Sequence, residues 1–84
     1  MMNKVLVELI VPASEKSFDV LIHPESRMSE VKNLMTGVVS ELSEGKFKAD
    51  ATSILCDSDS GIVFDINILV ADLDIKNGSR LMLL

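Results

Sequence analysis

The apolar residues of this chain recur first with the period of a strand. Lys4 to Val11 is apolar and β-branched around Glu8, and Ser17 to His23 alternates apolar with polar positions. The proline and polar residues from Pro12 to Lys16 predict a turn between them, and therefore an N-terminal hairpin. The side chains predicted to face the core are Val5, Val7, Leu9, Phe18, Val20 and Ile22.

After Pro24 the period changes to steps of three and four, which predicts an amphipathic helix. Ser26 is the predicted N-cap, and Gly45 the left-handed residue that ends the helix. Gly37 lies inside it and costs about 1 kcal/mol relative to alanine, which indicates close packing or a partner at that position. The apolar stripe predicted to be core comprises Met28, Val31, Leu34, Met35, Val38 and Leu42.

The second half contains shorter elements. A connector from Lys46 to Thr52 is predicted to place Phe47 against the core, and a polar turn spans Asp57 to Gly61. Residues 66–75 fit either a loop or a short helical turn. Three short strands are predicted, Ser53–Cys56, Ile62–Phe64 and Leu81–Leu84. Their side chains predicted to face the core are Ile54, Leu81 and Leu83. One helix on one face of a four- or five-stranded sheet is an α+β fold.

Length and composition indicate one domain spanning residues 1–84 and a cytoplasmic location. The chain is 48% hydrophobic with a mean hydropathy of +0.35, which implies a dense core or exposed apolar surface. No apolar run reaches the roughly 18 residues of a membrane span, and the N-terminus lacks the pattern of a signal peptide, so direct membrane insertion is not predicted. Cys56 is the only cysteine, so no internal disulfide can form.

Charge narrows the class of partner. The net charge is −5 and the isoelectric point about 4.6, with eight scattered Lys and Arg residues and neither Trp nor Tyr. Nucleic acids and anionic membranes bind to clustered cations, and single-stranded bases also stack on aromatic rings. The charge therefore argues against a nucleic acid or an anionic membrane as the partner.

No constellation of residues supports catalysis, a cofactor or a metal. Cys56 and His23 lack a third group to orient them, and Cys56 is predicted to be a buried, unreactive thiol. The Asp57 to Gly61 stretch resembles a calcium loop only faintly, because Ile68 stands where a bidentate glutamate is needed. Asp72 and Asp74 are predicted to be cap and turn residues.

Two stretches resemble ubiquitin-like β-grasp proteins. LVADLDIKNGSRLMLL, from Leu69 to Leu84, resembles their closing segment, and VLIHPESRMSEVKNLM, from Val20 to Met35, resembles their strand, proline turn and helix start. The resemblance implies a mixed sheet whose first and last strands are parallel and adjacent at its centre. Ubiquitin and the β-grasp sulfur carriers act through a Gly-Gly tail, whereas this sequence ends at Leu83 and Leu84. The resemblance therefore implies neither conjugation nor sulfur carriage.

Within that superfamily the chain is most similar to the YukD and EsaB proteins, which are accessory proteins of bacterial type VII secretion. The longer Asp57 to Gly61 turn and the absence of Trp depart from that pattern. The similarity implies a cytoplasmic, non-enzymatic interaction module whose partners are secretion components. A related secretion component carries the same domain ahead of its membrane spans. The residues that carry the similarity are Ile75, Asn77, Gly78, Arg80, Leu81 and Leu84.

Strand alternation predicts where a partner binds. Side chains that point away from the helix would form an apolar patch on the uncovered face of the sheet, which ubiquitin-like domains commonly use for binding. Glu8 and Asp19 on the same face could divide it into single exposed residues. The predicted protein-binding residues are Leu6, Ile10, Leu21, Leu55, Met82 and Leu84.

Two alternatives of other classes remain at this point. The chain could be a ubiquitin-like modifier or sulfur carrier made as a longer precursor, which the position of the gene's stop codon would decide. It could also be a structural domain that self-associates as a homodimer, which sedimentation at several concentrations would decide.

Overall fold

The computed structural model describes residues 4–42 and 53–84 of the chain. The predictions for Gly45 and for the connector with Phe47 lie outside these residues. Short 3-10 helices at Pro12–Ser14 and Val70–Asp72 join the larger elements. In chain order the larger elements are β1 (Val5–Val11), β2 (Lys16–Ile22), α1 (Met28–Leu42), β3 (Leu55–Asp57) and β4 (Arg80–Leu83).

The four strands form one mixed sheet in the order β2-β1-β4-β3. β1 pairs antiparallel with β2 and parallel with β4, and β3 joins β4 antiparallel at the far edge. The first and last strands are thus parallel neighbours at the centre, which confirms the topology implied by the resemblance.

The core lies between one face of this sheet and α1. Val7, Leu9 and Val11 of β1 alternate inward, as do Val20 and Ile22 of β2, and all five are buried. Val5 and Phe18 are half-buried at the margin of the same cluster. The alternation predicted for the hairpin is therefore confirmed.

The helix buries a narrower stripe than the sequence predicts. Met28, Val31 and Met35 are buried as predicted, but the next buried position is Val39. Leu34 is 45% exposed and Leu42 is 53% exposed, so their assignment to the core is wrong. Apolar residues on α1 span more than one helical face, and only the face through Met28, Val31, Met35 and Val39 meets the sheet.

Gly37 does not serve close packing among the described residues. It is exposed on α1, and a Cβ added there would meet no atom within 4 Å. Of the two reasons that the sequence offers for this glycine, close packing within the described part of the chain is therefore wrong.

The start of α1 is held by a distant loop rather than by Ser26. The Met28 amide donates to the carbonyl oxygen of Ile68, and the Ser29 amide donates to that of Ile66, both at 2.9 Å. The Glu30 carboxylate accepts a hydrogen bond from the Arg27 amide at 3.1 Å, which is half of a capping box. Because the helix begins at Met28, the cap position is Arg27, and the prediction of Ser26 is wrong.

The predicted strand Ile62–Phe64 is reduced to a single bridge. Cys56 bridges Val63, and the Asp57 amide donates to the Ile62 carbonyl at 2.9 Å. Residues 66–75, which fit either a loop or a helical turn, contain the 3-10 helix around buried Val70. No helix in the two described ranges is long and apolar enough to cross a membrane.

Candidate functional site: the open face of the sheet

The site predicted from the sequence is the sheet face that α1 leaves uncovered, called here the open face. The register of β3 shows that one of the predicted residues, Leu55, does not lie on this face. Leu55 is paired with Leu83, and both are buried in the core, Leu55 at 4% exposure. Leu55 therefore faces α1, and its assignment to the binding surface is wrong.

Ile54 takes the place of Leu55 on the open face. Its amide donates to the Leu84 carbonyl at 2.9 Å, and the Leu84 amide donates back to Ile54 at 2.8 Å. Ile54 is 43% exposed, close to the value for Leu6. A slip of one position exchanges the two faces of a strand, so the sequence reversed Ile54 and Leu55.

The remaining predicted residues lie on the open face as expected. Leu6 is paired with Leu21 across β1 and β2, and Ile10 with Met82 across β1 and β4, so each pair shares a face. Leu6, Leu21 and Leu84 are exposed, whereas Ile10 and Met82 are half-buried. Cys56 is paired with Met82 and shares this face, but it is buried. Among the described residues, the exposed and half-buried apolar side chains of the open face are Leu6, Ile10, Leu21, Ile54, Met82 and Leu84.

A row of charges crosses this face and divides its apolar residues into two groups. Glu8 is paired with Asp19 on one side and with Arg80 on the other, and the Arg80 Nε atom lies 3.3 Å from the Glu8 carboxylate. Leu6 and Leu21 lie on one side of the row, and Ile10, Met82, Leu84 and Ile54 lie on the other. Residues two apart on a strand are separated by about 7 Å, so the two groups are about 13 Å apart along β1.

The division changes the predicted site. The prediction of a single contiguous patch of six residues is wrong, because the charged row interrupts the patch. The open face instead offers two apolar contacts with a polar row between them, and a partner would have to match all three.

Cys56 and His23 cannot act together. His23 follows β2 and Cys56 lies in β3, which are opposite edges of the sheet and about 14 Å apart at the usual strand spacing. Cys56 is buried, as predicted, and its Sγ atom lies 3.6 Å from the Met82 carbonyl oxygen. Burial raises the pKa of the Cys56 thiol, and the charge of Asp57 raises it further, so the thiol is poorly suited to nucleophilic chemistry.

The polar stretch after β3 is a turn, as predicted. The Asp57 carboxylate accepts hydrogen bonds from the Ser60 amide at 2.9 Å and from the Ser60 hydroxyl at 2.7 Å. Gly61 has a positive φ of 74° and donates to the Asp57 carbonyl. Asp72 lies in the second 3-10 helix and Asp74 beyond it, and both are exposed. In the described ranges no three acidic, His or Cys side chains are grouped to hold a metal.

The topology, with β1 and β4 parallel at the centre and one helix on one face, is that of a ubiquitin-like β-grasp domain. The chain matches no family model and no curated protein. Its solved structural neighbours include ubiquitin-like domains.

Among these neighbours are domains of type VII secretion proteins. The EccD5 ubiquitin-like domain from Mycobacterium xenopi is 20% identical with a TM-score of 0.78, over 98% of this chain and 93% of that domain. The ubiquitin-like domain of Mycobacterium tuberculosis ECCD1 is 18% identical with a TM-score of 0.75, over 99% of each chain.

A longer neighbour belongs to an assembly described as the MycP5-free ESX-5 inner membrane complex. It is 24% identical with a TM-score of 0.78, and the match covers 96% of this chain but only 20% of that one. This chain thus spans about a fifth of the length of that neighbour. Identities this low establish the shared fold, while function depends on the site.

Proposed function

We propose that this chain is a non-conjugating ubiquitin-like module that binds proteins through its open face, in the cytoplasm of a bacterium with a type VII secretion system. Its partners are components of that system, as for an accessory protein of the YukD and EsaB kind. The observation that carries the proposal is the likeness in fold, over nearly the whole chain, to ubiquitin-like domains of type VII secretion proteins.

The open face supplies the binding chemistry. Leu6, Leu21, Ile54 and Leu84 are between 43% and 55% exposed. Covering the exposed part of each contributes about half of the roughly 1.5 to 3 kcal/mol gained when an aliphatic side chain goes from full exposure to full burial. The row of Asp19, Glu8 and Arg80 contributes specificity, because a partner that leaves these charges unmatched loses their hydration without compensation. Binding and selection are thus divided between the apolar groups and the charged row.

The test compares charge insertions at matched positions. Leu6 on the open face and Leu34 on α1 are 44% and 45% exposed, so Leu6→Asp and Leu34→Asp are the same change at nearly equal exposure. Leu84→Asp probes the second apolar group. Leu55→Asp is unsuitable, because it would bury a carboxylate in the core and unfold the chain.

The tagged variants are used to capture proteins from cells that contain the native secretion locus, and the captured proteins are identified by mass spectrometry. We expect wild type and Leu34→Asp to enrich components encoded at that locus. The enrichment by Leu6→Asp and by Leu84→Asp should be at least tenfold lower than that by wild type. Circular dichroism confirms that each variant is folded. The proposal fails if wild type enriches no secretion component, or if Leu34→Asp reduces the enrichment as much as Leu6→Asp does.

A further inference from the structure

A second surface, which adjoins the open face and shares Arg80 with it, is a half-open groove of about 660 Å³ between two loops. One wall is residues 57–65 and the other is residues 73–80. Phe64, Leu73 and Ile75 are half-buried, line the groove and pack against the core, so they form an apolar floor. Of the apolar residues on the open face, none lines this groove.

The first wall carries the two most exposed large apolar side chains among the described residues. Ile62 is 67% exposed and Val63 is 59% exposed, more than any residue of the open face. The sequence assigned both to a strand, but only the single bridge at Val63 forms, which leaves them at the groove. Such exposure of neighbouring apolar residues marks a surface that gains from being covered.

Hydrogen bonds to the neighbouring strands hold both walls in place. The Asp57 amide donates to Ile62 at 2.9 Å and the Phe64 amide donates to Leu55 at 3.1 Å, which fastens the first wall to β3. The Gly78 amide donates to the Leu6 carbonyl at 2.9 Å, and the Leu6 amide donates to the Asn77 side chain at 2.8 Å, which fastens the second wall to β1. The groove is therefore preformed, and a ligand would not have to order it.

The charges around the groove select the occupant. Four aspartates line it, against the two cations Lys76 and Arg80, and the Arg80 guanidinium already contacts Glu8 on the open face. Asp59 and Asp74 are exposed at the rim. An acidic rim around an apolar floor complements a ligand with apolar side chains between cations, and repels anions such as nucleic acids. The aspartates lining the groove are Asp57, Asp59, Asp65 and Asp74.

We propose that this groove binds a short segment of a partner protein in which bulky apolar side chains alternate with lysine or arginine. An apolar side chain of the segment is buried on the floor of Phe64, Leu73 and Ile75. The lysine or arginine side chains of the segment face Asp59 and Asp74. The proposal does not depend on the role of the open face.

The test uses a synthetic heptapeptide in which lysine alternates with phenylalanine and leucine, titrated into the full-length 15N-labelled chain. We expect amide shifts confined to residues 57–65 and 73–81. The charge-reduced variant Asp59→Asn with Asp74→Asn should bind the peptide about threefold to tenfold more weakly, as expected for two exposed ion pairs. Val63→Ser should weaken binding further by removing part of the first wall.

Matched controls isolate the groove. Asp19→Asn removes an exposed carboxylate from the open face and should change the affinity by less than about twofold. A peptide with glutamate in place of lysine should not bind, and a lysine and serine peptide should bind at least tenfold more weakly than the lysine and apolar one. Raising the salt concentration should weaken binding by the lysine and apolar peptide.

Three results would overturn the proposal. The first is an absence of shifts at millimolar peptide, and the second is a set of shifts centred on the open face. The third is self-association that Val63→Ser abolishes, since this would assign the groove to a second copy of the chain. Capture of secretion components through the open face would be unaffected by any of them, so the two proposals fail separately.

Discussion

Two glycines in open surroundings should respond oppositely to the same substitution. Gly37 lies within α1, and Gly78 lies in the turn before β4 with a positive φ of 90°. A Cβ added at either position meets no atom within 4 Å. Gly37→Ala and Gly78→Ala therefore add one methyl group without a clash, and only the backbone conformation differs between them.

The magnitudes follow from that difference. Inside a helix, alanine is favoured over glycine by about 0.8 to 1.0 kcal/mol, so Gly37→Ala should increase the free energy of unfolding by that amount. Alanine at the left-handed φ of Gly78 costs about 1 to 2 kcal/mol, so Gly78→Ala should reduce it. For a domain of this size 1 kcal/mol corresponds to about 4 to 8 °C in Tm.

Urea unfolding followed by far-UV circular dichroism measures both variants, because the chain has no Trp or Tyr for fluorescence. The expected difference in unfolding free energy between the two variants is about 2 to 3 kcal/mol. Loss of stability in Gly37→Ala, or changes of the same sign in both variants, would refute the placement of these glycines. If Gly37→Ala is more stable but weakens capture of partners, then Gly37 is kept for an interface.

Two further predictions concern β3. Leu55→Ala should lower the free energy of unfolding by about 2 to 5 kcal/mol, as for a buried leucine, whereas Ile54→Ala should lower it by about 1 kcal/mol or less. Urea unfolding measures both variants, and equal losses would contradict the register of β3. Because burial and the charge of Asp57 raise the pKa of the Cys56 thiol above its ordinary value of 9.0, the unfolded chain loses that proton first. Stability should therefore fall as the pH rises past about 9, and less so in Cys56→Ala; identical pH profiles would remove Cys56 as the cause.

The hairpin was predictable because its pattern is long, whereas the parallel pairing of the first and last strands was implied only by the resemblance to β-grasp proteins. Seven-residue strands such as β1 repeat the alternation often enough to fix which face is buried. β3 has only three residues and lies within an apolar stretch, where Ile54, Leu55 and Cys56 are equally suited to either face. Its register comes from pairing with β4, and the local pattern does not contain that information.

The errors on the helix have a similar cause. Leu34 and Val39 are both apolar at helical spacing, and the direction from which the sheet approaches decides which of them is buried. The helix start depends on carbonyls of Ile66 and Ile68, nearly forty residues later, which no local motif reveals. Glu30, three residues after Arg27, was the one local indication of the correct cap.

The groove escaped prediction for the opposite reason, since it depends on a strand that fails to form. The predicted strand at 62–64 would have joined the sheet and engaged its side chains in regular pairing. The pairing with β3 ends where the Phe64 amide donates to Leu55, and the carbonyls of residues 66 and 68 then accept from the first amides of α1. Ile62 and Val63 stay exposed beside this short pairing, and the groove therefore depends on how distant segments meet, which no local pattern contains.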